Sequence, residues 1–152
     1  MFTSNQEVAD FISEQNIELV DVRFCDVPGV QQHFTIPVSE FLDAALSDGL
    51  MFDGSSVRGF TAIHESDMKL IPDISSAFVD PFRDRKTLVV NFSIVAPFTD
   101  EPFSRDPRQV AAKAEAYLRS TGIADQCFIG AEAEFYLFDD VRYQVSPHNT
   151  FF

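Results

Sequence analysis

Basic residues are scarce in this chain of 152: 11 Lys and Arg stand against 24 Asp and Glu, a formal net charge of −13. Binding to double-stranded nucleic acid draws on clustered cations that release condensed counterions, so nucleic acid is not expected as a partner. Cysteine is scarcer still. Cys25 and Cys127 lie far apart with no C-x-x-C or Cys/His spacing, which argues against a disulfide framework or thiolate metal site and leaves two free thiols. No run approaches the roughly 20 apolar residues of a membrane span, and the opening MFTSNQEV has neither a charged n-region nor an apolar h-region. The expectation is a cytoplasmic protein without a membrane partner. G-x-G-x-x-G, G-x-x-x-x-G-K-[ST] and G-x-S-x-G are missing too, so the familiar phosphate loops and the nucleophile elbow are not available. Apolar area, by contrast, is plentiful. Hydrophobic residues make up 45%, with 17 Phe among them, far more than a disordered acidic chain carries. One ordinary domain or two small ones can fold at this length, burying roughly two-thirds of the unfolded surface.

The periodicity predicts an α+β architecture. Thr3 or Ser4 can cap a short helix with the stripe Val8, Phe11 and Ile12. Leu19–Cys25 alternates, with Val20, Val22 and Phe24 on one side and Asp21 and Arg23 on the other. The turn residues 26–29 and a second alternating run, 30–36, complete a hairpin. Ser39 opens a second helix that Gly49 closes, and the run from Thr87 to Ala96 is the strongest strand. Pro97, Pro102 and Pro107 then punctuate the chain. A domain boundary is placed here, giving domains of 1–103 and 104–152. Asp106-Pro107 reads as an N-cap with Pro at N1, opening a helix with the stripe Val110, Ala114, Tyr117 and Leu118. Residues 127–138 read as a long strand. One helix and one strand cannot bury their own apolar faces, so the second domain reads as incomplete.

Two segments carry candidate chemistry. In the run 127–138, Ile129, Ala131, Ala133, Phe135 and Leu137 share one face, while Glu132 and Glu134 share the other, about 7 Å apart. Neighbouring like charges repel, and a divalent cation with hard oxygen ligands, Mg²⁺ or Mn²⁺, reverses that sign. The spacing alone fits a solvated acidic face better, because two carboxylates do not complete a metal shell. The second segment is Asp53-Gly54-Ser55-Ser56, which allows a sharp turn and brings together a carboxylate and two hydroxyls. That carboxylate could bind a cation or accept a proton, although the tetrapeptide by itself is an ordinary turn. His33, His64 and His148 have no ligand-like spacing.

Taken jointly, these segments resemble the glutamine synthetase family, and the bacterial type I enzymes in particular. Phe52-Asp53-Gly54-Ser55-Ser56, followed after eight residues by Glu65-Ser66-Asp67 and then Leu70, is similar to the family's N-terminal signature. Gly130-Ala131-Glu132-Ala133-Glu134-Phe135 resembles its first metal-ligand strand, with Ala133 where many relatives have Pro. The resemblance also takes in Val20-Asp21-Val22-Arg23-Phe24 and Ser104-Arg105-Asp106-Pro107-Arg108.

The resemblance implies an N-terminal β-grasp domain followed by the truncated start of the catalytic α+β domain. It implies a ligase of glutamine biosynthesis and nitrogen metabolism that joins glutamate and ammonia with ATP, through γ-glutamyl phosphate. Glu132 and Glu134 would each ligate a metal, at the ATP phosphates and nearer the glutamate and ammonium site respectively. Asp53 would be catalytic, holding ammonium and helping to remove its proton, with Ser56 lining the same pocket. The partners implied are glutamate, ammonium, ATP and further copies of the chain, in a homo-oligomer with shared active sites built as a dodecamer of two stacked rings. The remaining metal, ATP and glutamate ligands would lie beyond Phe152, so this stretch alone is expected to be inactive. A glutamate–amine ligase acting on a larger amine, or a non-catalytic association module, are the alternatives.

Overall fold

The computed structural model describes residues 1–62 and 66–152. The N-terminal helix α1 (Asn5–Gln15) is capped by Ser4, whose hydroxyl accepts the Glu7 N–H at 3.2 Å, while the Glu7 carboxylate accepts the Thr3 N–H at 2.8 Å. Strands β1 (Leu19–Cys25) and β2 (Gln31–Pro37) form the hairpin expected, with Val22 opposite Phe34. Asp26 closes its turn by accepting the Val30 N–H at 2.7 Å.

The second helix, α2, spans residues 38–48. It begins after Pro37 rather than at Ser39, and no side chain caps it. Its middle is a π turn, Phe41–Ala45, which puts Phe41, Ala45 and Leu46 into the core. Gly49 ends it at φ +81°, where a Cβ would stand 2.5 Å from the Leu70 carbonyl oxygen. Only glycine fits that approach.

Three strands follow: β3 (Leu50–Asp53), β4 (Asp67–Val79) and β5 (Thr87–Val95). The sheet order is β2-β1-β5-β4-β3, with β1 and β5 parallel and the other pairs antiparallel. Alternation explains the layering. Val20, Val22 and Phe24 of β1 and Leu88, Val90, Phe92 and Ile94 of β5 turn to the face that α1 and α2 cover with Val8, Ile12 and Phe41. Burying each of these larger side chains contributes about 1.5–3 kcal/mol. The architecture is α+β.

The opposite face of β1 is polar but not uniformly wet. Asp21 is fully buried there, accepting from Arg23 Nε at 2.7 Å and Thr35 Oγ1 at 3.0 Å, with His33 Nδ1 at 2.9 Å and Arg83 Nη2 at 3.7 Å. The partners converge from β1, β2 and the β4–β5 connection, so burial of the charge is compensated.

Helix α3 (Pro107–Ser120) starts as expected, with Asp106 as N-cap and Pro107 at N1. Its stripe is not covered, however: no residue of α3 is buried, and Val110 and Tyr117 are exposed. The expected strand over 127–138 is likewise absent. These residues carry strand-like alternation but form no ladder, and they are exposed throughout. A strand needs a partner for its backbone N–H and C=O groups, and this run pairs with none of the described strands. Among the described residues, the short strands β6 (Gln144–Val145) and β7 (Thr150–Phe151) pair only with each other. No helix among the described residues is long and apolar enough to cross a membrane.

Candidate functional site

Asp53 is the last residue of β3, and its register partner on β4 is Asp67. Two acidic residues thus stand opposite each other in the register at one end of the ladder, where like charges repel. The chain then turns through the 3₁₀ segment Gly54–Ser56, capped by Asp53 itself. Asp53 Oδ1 accepts the Ser55 N–H at 2.9 Å and the Ser55 hydroxyl at 2.6 Å, and Oδ2 accepts the Ser56 hydroxyl at 3.1 Å. The bonds from Ser55, and then those from Ser56, hold the Asp53 carboxyl below the usual carboxylate range. Asp53 and Ser56 are exposed, so the anion is open to a ligand. Gly54 is buried in the turn and donates to the Ser66 carbonyl at 2.6 Å; a Cβ there would meet Met68 Cγ at 2.8 Å. The turn pattern offered Asp53 with the hydroxyls of Ser55 and Ser56, and Ser55 holds the carboxylate through two bonds.

The exit of the turn is bound to the segment that leads into α3. Arg105 Nη1 donates to the Gly59 carbonyl at 3.0 Å and the Phe60 carbonyl at 2.6 Å. The fully buried Phe60 ring stands edge-on to Phe103 at 5.3 Å. Between the turn and this segment lies a cavity of 730 Å³, lined by Phe60, Ser66, Met68, Phe98 and Arg105 among others. Glu65 of the expected signature lies outside the described residues.

Glu132 and Glu134 are both exposed on the irregular run that follows α3. They offer hard oxygen donors of the kind Mg²⁺ and Mn²⁺ take. Among the described residues, no three His, Cys, Asp or Glu side chains come together as a metal shell. The pair can supply part of one. On the same run Cys127 and Ile129 meet Ala111, Ala114 and Leu118 of α3 and Ser93 of β5 around a groove of 540 Å³. Among the described residues, the polar contacts of Asp53 lie within its own turn and do not join the two candidate groups.

Two family models match the chain: "Glutamine synthetase, beta-Grasp domain" over residues 16–97 and "Glutamine synthetase, catalytic domain" over residues 104–152. A protein named glutamine synthetase from Frankia alni is 57% identical over 150 residues, covering 99% of this chain and 32% of the relative. A solved chain described as Plasmodium falciparum glutamine synthetase, determined by cryo-electron microscopy, aligns over 99% of this chain and 29% of its own, with a TM-score of 0.78 at 22% identity. Another, described as a GmaS/ADP complex, aligns over 75% of this chain and 25% of its own, with a TM-score of 0.62 and 26% identity. The chain spans about a third of the length of the curated relatives it matches.

Proposed function

Because this chain belongs to the glutamine synthetase family, we propose that it is the N-terminal part of a cytoplasmic ATP-dependent ligase that joins glutamate and ammonium into glutamine through γ-glutamyl phosphate. The β-grasp domain takes in residues 1–103, and residues 104–152 open the catalytic domain. The observation that carries this reading is the Asp53 turn: an exposed carboxylate kept ionised by Ser55 and Ser56, with Asp67 across the ladder.

Such a carboxylate meets both demands of the chemistry. It attracts ammonium as a cation, and an Asp53 oxygen then takes the proton that ammonium must lose before its nitrogen can attack the acyl phosphate. The Ser56 hydroxyl, whose proton is given to Asp53, offers its oxygen as one further acceptor in the same pocket. Glu132 would hold the Mg²⁺ or Mn²⁺ at the ATP phosphates and Glu134 the one nearer the glutamate and ammonium site; when bound, such cations would neutralise phosphate charge. Nucleotide use draws support from the relative described as an ADP complex. Asp53 belongs to the small domain and the glutamates to the next. As the family resemblance implies, the active site would be shared between copies of the chain in a homo-oligomer, a dodecamer of two stacked rings, with each Asp53 turn entering the neighbour's site.

The test is phosphate release by the full-length enzyme with glutamate, ammonium, ATP and Mg²⁺ or Mn²⁺. Release that requires all four components and yields glutamine supports the proposal. Release that ignores ammonium, or full turnover by residues 1–152 alone, refutes it.

A further inference from the structure

We propose that Arg105 is a positioning residue for the Asp53 turn, holding its exit by the carbonyls of Gly59 and Phe60 from the segment that opens α3. The inference rests on the role given to Asp53 above. The entry of the turn is fixed by the β3–β4 register and by the bond from the Gly54 N–H to the Ser66 carbonyl. Among the described residues, no strand holds its exit. There the Val57 N–H donates to the Gly54 carbonyl at 3.1 Å and the Phe60 N–H to the Val57 carbonyl at 3.2 Å, a relay that reaches Phe60.

Arg105 closes that relay from outside. One guanidinium nitrogen donates to two successive carbonyls, at 3.0 and 2.6 Å, charge-assisted bonds that a neutral donor would not match. The base of the clamp is rigid. The neighbouring Asp106 is fully buried and accepts the Ile94 N–H at 2.8 Å, so the backbone beside Arg105 is tied to β5. Phe103, two residues earlier, meets Phe60 edge to face and donates its N–H to the Ile94 carbonyl at 2.9 Å. The turn bearing Asp53 and the start of α3 are thereby one mechanical unit. A site that must hold a carboxylate to about 0.5 Å needs such support outside the residues that touch the ligand.

The experiment has two arms, each with Arg105→Ala and Arg105→Lys. In the full chain, hydrogen exchange at Val57 and Phe60 should quicken about tenfold in Arg105→Ala, while Val90 and Phe92 in the sheet stay unchanged. Arg105→Lys, which keeps a cationic donor of similar reach, should recover most of the protection. In the full-length enzyme, Arg105→Ala should raise KM for ammonium several-fold and leave KM for ATP unchanged. Unaltered exchange at Val57 and Phe60 overturns the clamp. Faster exchange with an unchanged ammonium KM overturns its functional role if Asp53→Ala abolishes activity. The same result overturns the role of Asp53 itself if Asp53→Ala remains active.

Discussion

Asp106 Oδ2 accepts the Ile94 N–H at 2.8 Å while its Oδ1 accepts the Arg108 N–H at 2.9 Å. One buried carboxylate thus caps α3 and ties the helix to the end of β5. Arg108 adds a second tie, reaching from the first turn of α3 to Asp73 on β4. Removing the carboxylate leaves the Ile94 N–H without its acceptor and the helix without its cap. Asp106→Ala should therefore lower stability by about 1–3 kcal/mol, read as a fall in urea midpoint. Burial pushes the Asp106 carboxyl above the usual range, more than its backbone donors pull it down. The stabilising contribution of the protonated form is present below the unfolded pKa and is lost as pH rises through the folded one. A wild-type midpoint that holds its value in Asp106→Ala would contradict the staple.

Asp21 has the opposite linkage. Burial alone would raise its carboxyl, but hydrogen bonds from His33, Arg23 and Thr35 together outweigh burial and hold it below the usual range. Its contribution is present above the unfolded pKa, about 4, and is lost as pH falls through the lowered folded value. Asp21→Asn should be less stable than wild type at pH 6 and should lose less on going to pH 3. Parallel midpoint curves across that range would show that Asp21 is not the group being titrated.

The parts of the fold legible in the sequence are those whose partners are local or whose face is continuous. Alternation revealed β1, β2 and β5, and Asp106-Pro107 revealed the start of α3. Strand β4 was hidden because Pro72 and the turn Asp73 to Ser76, where Asp73 accepts from Ser75, interrupt its alternation and shift its register. Residues 127–138 show the reverse error, since alternation states which face would be apolar and not whether a partner strand exists. The burial of Asp21 was not legible because the side chains that cover it arrive from β2 and the β4–β5 connection. At the candidate site, turn chemistry and spacing alone favoured an ordinary turn and a solvated acidic face, and the roles proposed for Asp53, Ser56, Glu132 and Glu134 come from the family resemblance. Arg105 was not legible, because its bonds cross some 45 residues of chain.

Glu132→Gln and Glu134→Gln keep side-chain shape and remove charge. In the full-length enzyme each should raise the Mg²⁺ or Mn²⁺ concentration for half-maximal activity by about tenfold or more, with the far-UV spectrum unchanged. Wild-type metal titrations in both variants would return the pair to a solvated acidic face.

The run after α3 leaves Phe128, Ile129, Phe135 and Leu137 exposed. Such a patch favours association, so the 152-residue chain should show concentration-dependent sedimentation that Phe135→Asp with Leu137→Asp reduces. Its backbone amides over 127–138 should exchange much faster than those over 87–95, which lie in the sheet. Equal protection of the two stretches would mean that the run is held in a ladder after all.

The most direct measurement is complementation between two inactive full-length parents, Asp53→Ala and the double variant Glu132→Gln with Glu134→Gln. If each active site joins the Asp53 turn of one subunit to the glutamates of its neighbour, mixed oligomers contain some interfaces in which both are intact. Glutamine formation should then reappear on mixing, in proportion to the statistics of subunit exchange. Verified mixed oligomers that stay inactive would contradict the shared site and leave the Asp53 turn a purely structural feature of the β-grasp domain.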